Sequence, residues 1–207
     1  MHFHFGLDFG IFTRLQILKI KEMKKLLFLF ISVTAFTAFS QTKTVAGVKF
    51  PTTTKVNGKT LDMNGGGLRE KYWIDLYVAA LYLENKTTDA GKIIYADDEQ
   101  AIHIKIISGS VTRERFVESV KEGFSNANHG KATSDQIKKF IGFFNEDINE
   151  GDRIYLEYTP KEGLVVIKNG TIKGKIEGIE FKKALFSIWL GSTPADSTLK
   201  KGMLGKG

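Results

Sequence analysis

An arginine and a tyrosine stand at the edge of an apolar stretch of the chain. Arg69 follows three glycines in "GGGLREKYWIDLYVAALYLE", residues 65–84, and Tyr77 comes eight residues later. On a straight strand the two side chains would lie about 26 Å apart, at about 3.3 Å per residue. If the chain turns within 71–75, they face each other across a hairpin. A guanidinium with paired N–H donors and a phenol with a third could then bind one anion.

A second interpretation leaves Arg69 on the surface. It would then pair with a neighbouring carboxylate, such as that of Glu70 or Asp75. Composition favours neither interpretation, so both stay open at this point.

The other common chemistries lack their residues. There is no cysteine, which removes disulfides, thiol nucleophiles and thiolate metal sites. His103 alternates with isoleucines in "AIHIKII", which is typical of an outward-facing strand residue, and His129 lies in a predicted loop, "SNANHGKA". A zinc site needs three or four converging ligands, and "NGGGLRE" lacks the strand and helix of a nucleotide loop. We therefore predict neither a metal nor a cofactor.

Residues 23–40, "MKKLLFLFISVTAFTAFS", have the pattern of a secretory signal peptide. Two lysines precede an apolar stretch over 26–38, and small residues lead to a predicted cleavage between Ser40 and Gln41. The apolar stretch is shorter than the roughly 20 residues that cross a bilayer. We expect a mature form that does not span a membrane.

The rest of the chain divides around this segment. Residues 1–22 precede a serviceable start, Met23, and we interpret them as a candidate non-native extension. Residues 41–207 have the usual size of one domain. The predicted product is an exported protein of bacterial type, periplasmic or secreted.

The charge of the chain argues against nucleic acid as a partner. The 207 residues carry 30 basic and 23 acidic side chains, a formal net charge of +7. Removing residues 1–40 takes away five basic and two acidic residues and leaves +4. Lysines and glutamates are interspersed, whereas a nucleic-acid surface needs clustered basic residues.

The first half of the domain reads as hairpins followed by a helix and a strand. Between 45 and 83, "VAGVKFP", the Asn57-Gly58 pair and "KTLDMNGG" predict short antiparallel strands. Residues 89–96 predict a short helix, and "AIHIKIIS" predicts a strand.

Two amphipathic helices are predicted next. Thr112 is an N-cap for the first, and Thr133 with Gln136 forms a capping box for the second. Apolar residues at helical spacing are Phe116, Val117, Val120 and Phe124, then Ile137, Phe140, Ile141, Phe144 and Ile148. Such residues mostly form a core, although helices laid over a sheet also leave a seam for an elongated apolar ligand.

The last part of the chain predicts three strands and two helices. The strands are "DRIYLEYT", "GLVVIKNG" and "TIKGKIEG". A helix follows over 179–190, and Thr193 with Pro194 predicts the N-cap and first turn of a last short helix. The predicted class is α+β, an antiparallel sheet with helices over one face.

Several segments together resemble the chalcone isomerase-like family. They are "GLREK" with "LYVAALYLE", "SVTRERFVESVKEGF", "EGDRIYLEYTPKEG", "IKNGTIKGKIEG" and "FKKALFSIWLG". Their order and spacing extend the resemblance over nearly all of residues 45–205. It implies an open-faced β-sandwich, with a large antiparallel sheet, a layer of helices on one face and a ligand cleft between them.

The family contains plant enzymes that cyclise chalcones and relatives that bind fatty acids. In the enzymes an arginine steadies the enolate, helped by a threonine, a tyrosine and an asparagine, whereas in the binders the arginine and a tyrosine grip a carboxylate. By resemblance, Arg69 matches the shared arginine and Tyr77 the tyrosine of the binders. Phe116 and Gly123 stand where the enzymes carry tyrosine and asparagine, so the chain is more similar to the binding branch.

We therefore expect an exported protein that binds a fatty acid or a similar apolar carboxylate. The resemblance and the polar pair make Arg69 and Tyr77 the head-group clamp. The residues expected along the acyl tail are Phe116, Val120, Phe140 and Phe144. Burying each methylene contributes about 0.8 kcal/mol, which favours a medium-length chain.

Two alternatives stay open at this stage. One is an isomerase, an intramolecular lyase acting on a chalcone-like or other enone, with Arg69 as the catalytic electrophile. The other is a structural envelope protein whose cleft is filled by its own side chains.

Overall fold

The structure is a computed structural model that describes residues 41–206, together with Lys19 and Lys21. The chain divides into two compact units, residues 1–39 and 40–207, and the fold below is that of the second. The predicted signal peptide at 23–40 and the candidate extension at 1–22 fall outside the described residues, apart from Lys19 and Lys21.

Nine strands form the β part of the domain. A seven-stranded antiparallel sheet has the order β3-β4-β5-β6-β7-β8-β9, and β1 pairs with β2 in a separate hairpin. The strands are β1 (Thr42–Val45), β2 (Val48–Pro51), β3 (Thr53–Val56), β4 (Lys59–Lys71), β5 (Ile74–Leu83), β6 (Gln100–Ile106), β7 (Arg153–Thr159), β8 (Gly163–Lys168) and β9 (Thr171–Ile176). Sequential order throughout means that neighbouring strands in the chain are neighbours in the sheet.

Five helices of the domain pack with the sheet. They are α1 (Ala90–Tyr95), α2 (Arg113–Asn126), α3 (Ser134–Gly142), α4 (Ile179–Leu190) and α5 (Ser197–Met203). Side chains from one sheet face and from these helices form a single apolar core. The predicted class, an antiparallel sheet with helices over one face, is confirmed.

Side chains cap the starts of four of the five helices, and one predicted start is corrected. The Thr112 hydroxyl accepts from the Arg115 N–H, and Thr133 with Gln136 forms the predicted capping box. The predicted start of the last helix at Thr193 and Pro194 is wrong. Asp196 caps it instead, because its carboxylate accepts two N–H bonds of the first turn, at 2.7 and 2.9 Å.

The opposite face of the sheet carries a smaller core. The β1–β2 hairpin covers it, and Phe50 joins one apolar cluster with Val78, Ala80 and Tyr82. The Tyr82 hydroxyl donates to the carbonyl of Pro51 at 2.9 Å, which ties the hairpin to β5.

His103 lies on this second face but is not exposed to water as predicted. Only 3% of the residue is accessible. The Tyr155 ring stacks on it at 3.9 Å between centroids, and the Tyr82 ring lies at 4.5 Å. The alternation rule gave the correct face, but large rings on both neighbouring strands bury the imidazole.

A fully buried lysine closes the end of α1. Lys182 Nζ donates to the carbonyls of Ile93, Ile94 and Ala96 at 2.8, 3.1 and 2.8 Å. These are carbonyls that a helix end leaves without partners. Burial lowers the pKa of Lys182 to about 7, although Asp97 and Asp98 act in the opposite direction.

This lysine should make folding stability depend on pH. Its folded-state pKa lies below the ordinary value of about 10.4, so the unfolded chain binds more protons between about pH 7 and 10. The penalty for burying the charge is present below pH 7 and is lost as the pH rises. We expect the unfolding free energy of the wild type, relative to Lys182→Met, to increase over this window by up to about 4 kcal/mol. Urea unfolding of both proteins at pH 7 and 9.5 measures it, and a difference that does not change with pH would contradict the expectation.

Candidate functional site

A cavity of about 600 Å³ lies between the sheet and the helices. Its floor comes from β4 to β7, and α2, α3 and α4 contribute to its other walls. The residues predicted for ligand binding all line it: Arg69, Tyr77, Phe116, Val120, Phe140 and Phe144. The structure therefore brings the six together, and their contact with a ligand stays a prediction.

The β4–β5 hairpin explains how Arg69 and Tyr77 meet. The two strands are joined by a two-residue turn, Tyr72-Trp73, which lies within the predicted 71–75 segment. The antiparallel register sets Arg69 directly opposite Tyr77. Residues paired in this way have Cα atoms about 4.5–5.5 Å apart, so their side chains project from adjacent points of one face.

Arg69 pairs with a carboxylate that sequence reasoning did not identify. Its Nη1 donates to the Glu70 carbonyl at 2.8 Å and lies 3.6 Å from Asp196 Oδ2. Both charged side chains are only 14% exposed. The alternative of a surface arginine paired with the side chain of Glu70 or Asp75 is wrong, because the start of α5 brings Asp196 to this point. A guanidinium has five N–H donors, more than the contacts with Glu70, Asp196 and Tyr77 use, so Arg69 can still donate to an anion.

Tyr77 presents a protonated hydroxyl to the same end of the cavity. Trp189 Nε1–H donates to the Tyr77 oxygen at 2.9 Å. Burial raises the pKa of Tyr77 above its ordinary value, and the Trp189 hydrogen bond and the positive charge of Arg69 offset this only in part. Because the phenol accepts from Trp189 and keeps its own proton, it can still donate to an anion.

The remaining walls are mostly apolar. The Phe116 and Phe144 rings lie 4.6 Å apart between centroids, and Phe140 and Phe144 lie 5.4 Å apart. The floor residues that sequence reasoning missed are Ile104, Ile106, Ile154 and Leu156. Their alternation along β6 and β7 was the signal that could have identified them.

Gly123 lets two helices of the wall approach closely. A Cβ at this position would lie 2.8 Å from Ile188 Cγ2 of α4. A larger side chain therefore cannot stand here unless Ile188 moves.

Charged residues other than Arg69 lie at the mouth of the cavity. Arg115, Glu118 and Glu122 of α2 are exposed, and Lys71 Nζ reaches Glu122 Oε2 across the opening at 3.5 Å. The charged groups therefore form a solvated rim, and Arg69 and Tyr77 form a partly buried pair on the cavity wall.

The described part of the chain contains neither a cluster of metal ligands nor a helix that could span a membrane. In residues 41–206, no group of three His, Cys, Asp or Glu side chains could hold a metal ion. None of the helices described there is long and apolar enough to cross a membrane. His129 lies in a loop, as predicted, and its Nδ1 hydrogen-bonds the Tyr95 hydroxyl at 2.9 Å.

Comparisons with known proteins agree with this geometry. A family model described as chalcone isomerase-like matches residues 42–205. The crystal structure of a fatty-acid-binding protein from Arabidopsis thaliana superposes with a TM-score of 0.64 at 19% sequence identity. The match covers 79% of this chain and 96% of that one, and at this identity it shows a shared fold. No curated protein sequence matches the chain.

Proposed function

The chain belongs to the chalcone isomerase-like family, and from this premise we propose that it binds a fatty acid or a similar apolar carboxylate in the cavity. The observation that carries the proposal is the arrangement of charge. Inside a rim of exposed charged residues, Arg69 and the protonated Tyr77 lie side by side on mostly apolar walls that enclose about 600 Å³.

The head group would lie between Arg69 and Tyr77. Charge-assisted hydrogen bonds from a guanidinium to a carboxylate are among the stronger ones in proteins, and low exposure strengthens them further. The Tyr77 hydroxyl adds a neutral donor. Asp196 shares the guanidinium, so ligand binding would exchange part of an internal ion pair for an external one.

The space available suits a medium-length tail. A volume of about 600 Å³ falls within the range of ordinary ligand pockets, about 300–1,000 Å³. The floor crosses from β4 to β7, about 14 Å at about 4.8 Å per strand. An extended polypeptide covers about 1.2 Å for each backbone bond. If an extended acyl chain covers a similar distance per bond, about a dozen carbons span this length.

Two further observations support binding. The Arabidopsis protein of the same fold is described as fatty-acid binding. The cavity also favours binding over the structural alternative, in which the protein's own side chains fill the cleft.

Native mass spectrometry of residues 41–207, purified gently from the host, tests the proposal. We expect an added mass matching a fatty acid on the wild type. The Arg69→Ala variant should lose it, whereas Arg153→Ala, which removes an exposed arginine from β7, should keep it. A bare wild-type protein that also fails to take up added dodecanoate would contradict the proposal, and enone turnover would then be the next assay.

Export remains part of the proposal. The signal-peptide pattern of residues 23–40 supports it. The mass of the mature protein recovered from the host should correspond to a chain that begins at Gln41, and an intact N-terminus would contradict export by this route.

A further inference from the structure

The turn between β4 and β5 differs from the other two-residue turns of the protein. Four hairpins have two-residue connections, and all eight central residues have positive φ. The four pairs are Ala46-Gly47, Asn57-Gly58, Asn169-Gly170 and Tyr72-Trp73. Three of them carry glycine at the second position, which suits this conformation. Only the pair of aromatic residues lacks it.

Both aromatic residues adopt a backbone conformation that is unfavourable for bulky side chains. The φ angles are +53° at Tyr72 and +63° at Trp73. Burial does not compensate for this strain, since Tyr72 is 78% exposed, Trp73 is 91% exposed and the adjacent Ile74 is 42% exposed. Lys71 Nζ lies 5.7 Å from the centroid of the Tyr72 ring, a contact that gives little stabilisation at an exposed site. Folding alone therefore does not explain why aromatic residues occupy this turn.

The turn stands at the mouth of the cavity. Its flanking residues Lys71 and Ile74 line the cavity together with Tyr72, whereas Trp73 does not line it. We define these four residues, 71–74, as the hairpin tip. Whatever covers the hairpin tip is therefore adjacent to the entrance that a ligand must pass.

We propose that the hairpin tip docks onto a lipid bilayer and places Trp73 in the interface. Tryptophan and tyrosine are the residues enriched at the boundary between hydrocarbon and head groups, because each has an apolar body and a polar edge. A stable protein interface needs about 800 Å² per partner, more than one two-residue turn can present. An apolar carboxylate also partitions into bilayers. When the hairpin tip is docked, the entrance of the cavity would therefore face a membrane that contains its ligand.

The charges around the hairpin tip indicate that membrane binding depends on insertion of apolar side chains and not on attraction to anionic lipids. Lys71 is paired with Glu122, and Glu70 and Asp75 add negative charge beside it. Attraction to anionic lipids is therefore weak. Binding should persist at 0.5 M salt and should not require anionic lipid.

A Trp73→Gly variant separates docking from folding. Glycine adopts a positive φ without steric strain, so we expect the variant to be modestly more stable than the wild type. In a domain of this size, the melting temperature should then rise by about 2–4 °C. Partitioning onto vesicles of phosphatidylcholine and phosphatidylethanolamine, measured by co-sedimentation, should fall about tenfold or more. Ile172→Ser removes another exposed apolar residue, on β9, and should leave partitioning unchanged.

Tryptophan fluorescence gives a second readout. The chain has two tryptophans, and Trp189 is 7% exposed while Trp73 is 91% exposed. Vesicles should shift the emission of the wild type to shorter wavelength. In Trp73→Phe the shift should disappear while most of the binding remains, because phenylalanine still inserts.

The outcomes distinguish docking from the proposed ligand binding, on which the choice of a membrane partly rests. Trp73 does not line the cavity, so dodecanoate should bind wild type and Trp73→Gly equally in vesicle-free solution. Vesicle binding without dodecanoate binding would contradict the proposed function and leave docking standing. Equal vesicle partitioning of wild type and Trp73→Gly would overturn docking. A dimer that Trp73→Gly dissociates, without vesicle binding, would also overturn it and assign the tip to a second copy.

Discussion

Replacing Arg69 with alanine is expected to weaken dodecanoate binding about 30- to 1,000-fold, equivalent to about 2–4 kcal/mol. Among the described residues, the guanidinium is the least exposed of the cations on the cavity wall, with 14% of its side chain exposed against 36% for Lys71. In the variant, a carboxylate at this position would still lose its hydration without gaining a cationic partner. Isothermal titration calorimetry of both proteins at one pH and salt concentration measures the change.

A ligand without charge provides the matched comparison. Dodecanol has the same tail and lacks the carboxylate, so the wild type should prefer the acid. In Arg69→Ala this preference should disappear or reverse, because an unpaired carboxylate keeps its desolvation cost and lies near Asp196, whereas the alcohol does not carry a charge. If the variant still prefers the acid as strongly as the wild type does, Arg69 is not the head-group partner.

Asp196 offers a control on the protein side. Asparagine caps helices about as well as aspartate, so Asp196→Asn should keep α5 in place while it removes the internal carboxylate that shares Arg69. We expect this variant to bind dodecanoate as tightly as the wild type or more tightly. A loss comparable to that of Arg69→Ala would show that the ion pair itself maintains the site.

Replacing Gly65 with alanine is expected to destabilise the domain by about 3 kcal/mol or more. A Cβ at Gly65 would lie 2.8 Å from the Gly205 nitrogen and 2.9 Å from the Met203 carbonyl oxygen, and still closer to the carbonyl oxygen of Gly202. All three are backbone atoms, so no side chain can rotate away, and the whole end of α5 would have to move. Urea unfolding measures the change in free energy.

Gly142 supplies the control for this prediction. A Cβ at Gly142, the last residue of α3, meets nothing within 4 Å. Gly142→Ala should be neutral or slightly stabilising, because alanine favours helix more than glycine does. A Gly65→Ala protein within about 1 kcal/mol of wild type would contradict the close approach of α5 to β4.

Displacing α5 should also affect the site. The carboxylate of Asp196 caps this helix, lies beside Arg69 and accepts from the Glu70 N–H at 3.3 Å. The glycines before Arg69 do not belong to a nucleotide-binding motif. They allow α5 to pack closely against β4, and this packing places Asp196 beside Arg69. We expect proteolysis within residues 196–206 to be faster in Gly65→Ala than in Gly142→Ala.

Local chemistry made many elements of the domain predictable. The capping box at Thr133 and the turns at Asn57-Gly58 and Asn169-Gly170 depend on neighbours within four residues, and the structure confirms them. The last helix was harder because several residues before it can cap, and contacts with β4 favour Asp196.

The sequence by itself determined the class of the fold, the antiparallel hairpins, the helix faces and six of the residues that line the cavity. These follow from periodicity, from turn and cap residues, and from resemblance to a family, all of which are properties of order along the chain. Only the tertiary structure decided that Asp196 and Trp189 complete the polar end, that rings bury His103 and that Lys182 closes α1. The physical reason is separation: Arg69 and Asp196, or Tyr77 and Trp189, lie more than a hundred residues apart, and no local pattern records which distant side chains packing will bring together.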